Sequence, residues 1–276
     1  MGSQTQSGMF SYHPVPRPSK GNHKGTVKEG NDLLSLRKIL AYAWPLLVIL
    51  ALVFTYLTAP KFYVLYIFQI QEREFQLVEI LTFLGASMAG VLLLRSTWKL
   101  WKGTNYWAAS LVGIMAIAAL FFAGEEISWG QSYLQWATPT WWQENFSGET
   151  NLHNSRFPVH QLAALFILGF FFLLPLSWKF RNVLSLPLAL KPAIPEGPVI
   201  SAIVIAIVFR EFKGIYREFS PLWYRAVDIP WVEVHDQFYQ EFLWGMNEYR
   251  EMLMAFSLLM YAGYRVAATK TFLRQK

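Results

Sequence analysis

The chain reads as an all-α integral membrane protein: a polytopic bundle of about six transmembrane helices, both termini cytoplasmic, with two long aromatic outer loops. Three observations predict this. Of the 276 residues 54% are hydrophobic and only 15% charged, where a soluble domain carries about a quarter charged residues. The apolar residues cluster in windows of helix-spanning length. The basic residues also alternate between connections. The N-terminal tail, the 95–104 and 179–191 connections and the C-terminal tail hold 16 of the 24 Lys and Arg residues, which by the positive-inside rule puts those segments in the cytoplasm.

The elements follow in order. Residues 1–36 are rich in Ser, Pro, Gly, Lys and His without an apolar run. They suit a disordered basic tail rather than a cleaved signal peptide. A single transmembrane domain is expected over 37–270, with a short cytoplasmic tail at 271–276. Its apolar segments lie near 39–58, 76–94, 105–124, 160–178, 196–214 and 250–268. The fifth is the weakest: Val199 to Phe209 is too short to span at about 1.5 Å per residue, and extending it takes in Arg210 and Glu211. Phe62 to Ile70 reads as interfacial. The outer connections, around 125–159 and 215–249, are crowded with Trp and Tyr, residues that concentrate at headgroup level. No internal repeat of the inverted-repeat transporter kind is visible.

Ionisable residues within the spans collect at the outer end. Glu79 lies about one turn inside the second span, and Glu125 and Glu126 close the third, followed by Ser128 and Trp129. His153 and Asn151 lie in the next loop, His160 opens the fourth span, and Arg210 with Glu211 closes the fifth. Glu248 and Glu251 lead into the sixth. Carboxylates at such depth are costly and tend to be paired, ligating or functional. Snorkelling serves Lys and Arg better than the short glutamate side chain, so Glu79 calls for an interior partner, with Arg210 the first candidate by depth. The cytoplasmic halves of the spans carry almost no ionisable residues. The bland alternative is a helix end in solvated headgroups, with Arg250 forming a simple salt-bridged entry at Glu248-Tyr-Arg-Glu251.

Imidazole with carboxylates suits Zn, Fe or Mn, and Glu79, Glu126, His153, His160 and Glu248 are the candidate ligands. Candidate catalytic residues are Glu125, Glu126, Ser128 and His153, the last being ligand or acid/base. Arg210, Trp129 and Asn151 are candidates for binding substrate. The spacing matches neither the zincin His-Glu-x-x-His motif nor a duplicated di-iron Glu-x-x-His. There is no phosphate loop, no dinucleotide fingerprint and no nucleophile elbow. The absence of cysteine excludes disulfides, thiolate metal sites and a cysteine nucleophile. The basic tail implies anionic lipid as its partner, not nucleic acid.

The strings GEEISWGQ (124–131) and GETNLHN (148–154), with Glu79 in the preceding helix, resemble those of a group of bacterial polytopic membrane proteins. The resemblance covers about 72–160 and implies no activity; the expected location is the bacterial inner membrane. Glu126-Ile-Ser128-Trp129 is also similar to the carboxylate-Ser-aromatic stretch of the alkaline ceramidase superfamily, membrane hydrolases whose metal is held by histidines. This chain departs from that pattern: it lacks the late His-x-x-x-His helix, shows six spans instead of seven, and keeps its histidines in loops. Two classes of function follow as expectations. One is a metal-dependent hydrolase or transferase acting at the outer interface on a lipid or lipid-linked substrate. The other is a non-enzymatic assembly or partner-binding protein, or a small transporter; the apolar inner halves weigh against transport.

Overall fold

A computed structural model describes residues 24–58, 77–134, 136–138, 159–209 and 231–274, with side chains from Arg37 onward except 56–57, 132–133, 159–160, 231–247 and 272–274. All the described elements are helical: α1 Lys24–Thr58, α2 Leu77–Lys102, α3 Tyr106–Glu126, α4 Gln131–Leu134, α5 Val159–Ile167, α6 Leu174–Lys179, α7 Gly197–Phe209 and α8 Trp231–Arg274. The chain divides into two units at Leu40; the larger, Ala41–Lys276, contains the apolar remainder of α1 and every later helix.

Among the described residues five helices are long and apolar enough to cross a membrane: Arg37–Thr55, Leu77–Lys102, Tyr106–Glu126, Gln161–Lys179 and Glu248–Thr271. They fall on five of the six expected segments. The remaining one is α7, whose 13 residues rise only about 20 Å, less than the ~30 Å hydrocarbon thickness. Helix α1 begins at Lys24, inside the stretch read as a tail, although its apolar span opens only at Arg37. Residues 231–247, read as part of an outer loop, are the helical N-terminal portion of α8.

Small residues let the central helices approach closely. On α2, Gly90 lies under Leu120 of α3, so that a Cβ there would sit 2.5 Å from the leucine Cγ. A Cβ on Gly85 would meet Ala255 of α8 at 3.5 Å. The core built around this contact gathers Ala89, Leu93, Val112, Met115, Ala116 and Tyr261. Along α8 the residues withdrawn from solvent recur every fourth position, from Tyr249 through Leu253, Ser257, Tyr261 and Arg265 to Thr269. A stripe of that period winds slowly around the helix, which suits a helix packed on both α2 and α7.

The fourth span is not a plain α-helix. Between α5 and α6 the segment Leu168–Leu173 opens into a π-turn, with the Leu174 N–H donating to the Gly169 carbonyl. Pro175 supplies the reason: it has no N–H to donate and its ring crowds the carbonyl four residues earlier. The widened turn brings the neighbours Phe170 and Phe171 both into the core, where their rings meet Tyr261 at 5.5 and 6.3 Å.

Candidate acidic site at the helix ends

The third span stops because of the residues that first draw attention in the sequence. Helix α3 ends at Glu126, and the chain then enters a left-handed turn, with φ of 45° at Ser128, 56° at Trp129 and 81° at Gly130. Left-handed backbone costs a residue bearing a Cβ roughly 1–2 kcal/mol, and it persists only where its surroundings hold it. Here the turn swings the Trp129 indole back over the last turn of α3. Its Nε1–H donates to Glu125 Oε1 at 2.7 Å. The ring stacks edge-on to Phe121 at 5.5 Å and lies flat on Gly124, where a Cβ would come within 2.7 Å of it.

The glutamate pair is thereby divided. Glu125 is only 4% exposed and is held by the indole. Glu126 turns toward α8, where a carboxylate oxygen from each of Glu126, Glu248 and Glu251 lies within 4.8 Å of the others. Glu79, in the first turn of α2, and Glu125 also lie close enough to Glu126 to interact with it electrostatically. Two helices thus bring three carboxylates together, and Glu79 on a third lies within electrostatic reach of Glu126. Arg250 Nη2 donates to Glu251 Oε1 at 3.0 Å.

The structure therefore brings Glu79, Glu125, Glu126 and Glu248 together and adds Glu251, which the sequence offers only as half of a salt-bridged entry. Its i, i+3 spacing from Glu248 is the available signal. Ser128 is buried beside them, and Trp129 contacts Glu125. His153, Asn151 and Arg210 lie outside the described residues, so the suggested Glu79–Arg210 pair does too. His160 is on α5 with its side chain undescribed.

At the opposite end the structure corrects an expectation. Arg265, counted from the sequence with the C-terminal tail, lies within the last apolar helix and is only 1% exposed. Its guanidinium donates to the Pro192 carbonyl and to the Glu196 carboxylate, and it lies over the Tyr261 ring at 5.0 Å. Tyr261 Oη donates to the Ala193 carbonyl at 2.8 Å and Asn105 Nδ2 to the Ala189 carbonyl at 2.9 Å. These carbonyls belong to a strap formed by the short 3-10 helix Leu188–Ala193 and the residues up to Glu196. Pro187, Pro192 and Pro195 have no N–H to donate there, and Asn105 and side chains from α8 satisfy carbonyls that the backbone leaves open. Asn105 also caps α3, accepting from the Ala108 N–H at 3.2 Å.

No family model, curated protein or solved structure matches this chain.

Proposed function

We propose that the five glutamates form a divalent-metal site at the membrane boundary, and that the protein is a metal-dependent hydrolase or transferase acting on a lipid or lipid-linked substrate. The observation that carries this is the convergence of carboxylate oxygens of Glu126, Glu248 and Glu251 to within 4.8 Å, with Glu79 and Glu125 within electrostatic reach of Glu126. Carboxylates withdrawn from water and crowded together repel unless protons or a cation intervene. An all-carboxylate donor set suits a hard cation, so Mn is favoured over Zn among the metals the sequence suggests. In this reading Glu126, Glu248 and Glu251 hold the metal. Glu125, oriented by the Trp129 indole, is the acid–base group. A divalent metal bound there would supply Lewis-acid polarisation of a carbonyl or phosphoryl oxygen and activation of a water.

Orientation and location rest on the sequence. Charge placement supports an outward-facing site with cytoplasmic termini, α7 serving as the short sixth span, in a bacterial inner membrane. Arg210 follows Phe209, the last described residue of α7, and is assigned to an anionic headgroup. The test is metal analysis of freshly purified protein together with Glu126→Gln, Glu248→Gln and Glu251→Gln. The expected result is about one equivalent of metal in the wild type and its loss in each variant at unchanged abundance. Metal-free wild-type protein that also fails to bind added Mn would overturn it and favour the competing role, an assembly or partner-binding protein whose glutamates share protons.

A further inference from the structure

One exposed stripe of α2 changes character along its length, toward the end of the bundle away from the glutamates. Leu84, Met88 and Val91 are exposed and apolar. The same heptad-spaced row continues as Arg95, Trp98 and Lys102, also exposed, with Lys99 beside them. At about 1.5 Å per residue the apolar part is about 10 Å long and the basic part similar. The Lys102 ammonium sits 4.8 Å over the Trp98 ring, whose indole is 60% exposed. Among the described residues no carboxylate pairs with Arg95, Lys99 or Lys102. Around the corner Trp101 packs edge-on to Tyr106 at 4.9 Å, and Trp107 is exposed.

Basic side chains in the last turn of a helix complement its dipole, but that needs neither the exposed indoles nor a row continuous with the apolar face. We propose that this stripe is a binding site for a phospholipid of net negative charge, independent of the acidic centre at the other end. The acyl chains lie along Leu84, Met88 and Val91. The headgroup phosphate meets Arg95, Lys99 and Lys102, and Trp98 marks the boundary between the two. Charge complementarity selects the lipid class, since each basic residue near a membrane surface favours anionic lipid about fivefold, and the indole belongs at headgroup level.

The full-length protein is reconstituted in phosphatidylcholine vesicles, and association of spin-labelled phosphatidylglycerol is compared with that of spin-labelled phosphatidylcholine by electron spin resonance. The wild type should select phosphatidylglycerol severalfold. The Arg95→Gln/Lys99→Gln/Lys102→Gln variant should lose most of that selectivity, with helical circular dichroism unchanged because these side chains are on the surface. Lys102→Gln alone should lose a part of it, which keeps the test decisive if the triple variant folds poorly. No selectivity in the wild type, or selectivity unchanged in the variants, would overturn the proposal.

Discussion

At one end of the bundle Arg265 meets Glu196 and a backbone carbonyl, with Tyr261 and Asn105 donating to two more carbonyls of the same strap. At the other end Glu126, Glu248 and Glu251 converge, with Arg250 on Glu251 and with Glu79 and Glu125 within electrostatic reach of Glu126. The first arrangement is balanced in charge and holds one segment in place. The second is rich in carboxylates and draws its members from three helices. Buried charge that serves architecture is paired and hydrogen-bonded; carboxylate oxygens from separate helices that converge on one point are an arrangement that suits a cation. The contrast predicts opposite signs for charge removal at the two ends.

The largest effect is expected at the balanced end. Arg265→Ala strands the Glu196 carboxylate and the Pro192 carbonyl, and should lower stability by about 3 kcal/mol, read as a fall in thermal midpoint in detergent. Next comes Gly124→Leu at the acidic end. It places a side chain where the Trp129 ring lies, and should cost about 2 kcal/mol by overpacking while lowering Mn affinity, measured by titration. Tyr261→Phe removes one buried hydrogen bond and should cost about 1 kcal/mol in the same unfolding assay. Smallest and opposite in sign is Glu126→Gln in metal-free protein, which relieves repulsion and should raise stability by roughly 0.5 kcal/mol. If Glu126→Gln destabilises as strongly as Arg265→Ala, the two ends are alike and the acidic centre is architectural.

Much of this is legible in the sequence. Apolar window length finds five helices because a bilayer imposes one length on all of them. The string GEEISWG announces its importance, and each position has a local physical reason: Gly124 under an indole, Glu125 bonded to it, Glu126 on the far side, and Ser128 to Gly130 in the left-handed turn. That turn is not predictable, since Ser and Trp do not advertise positive φ as glycine does. Glu251 is easily discounted because Arg250 is its neighbour, and that ion pair does form; proximity to Glu126 depends on how α8 and α3 both pack against α2. Arg265 escapes notice because counting charges by segment ignores which face a residue occupies. The four-residue recurrence of Ser257, Tyr261, Arg265 and Thr269 is the signal.

The Arg265–Glu196 pair also bears on how the chain is made. Helix α7 has 13 residues and begins beside the Glu196 carboxylate, while α8 carries an arginine into its apolar face. An arginine in an inserting helix costs about 3 kcal/mol on translocon scales, and a short helix gains too little to settle unaided. Each segment supplies what the other lacks, so the last two helices should leave the translocon as a unit. A nascent chain arrested before Trp231 should leave α7 unintegrated, and one arrested after Arg274 should integrate both. Glycosylation-site mapping of the two arrested products distinguishes this order from independent insertion. The ion pair is then a timing device for biogenesis as well as a clasp in the finished bundle.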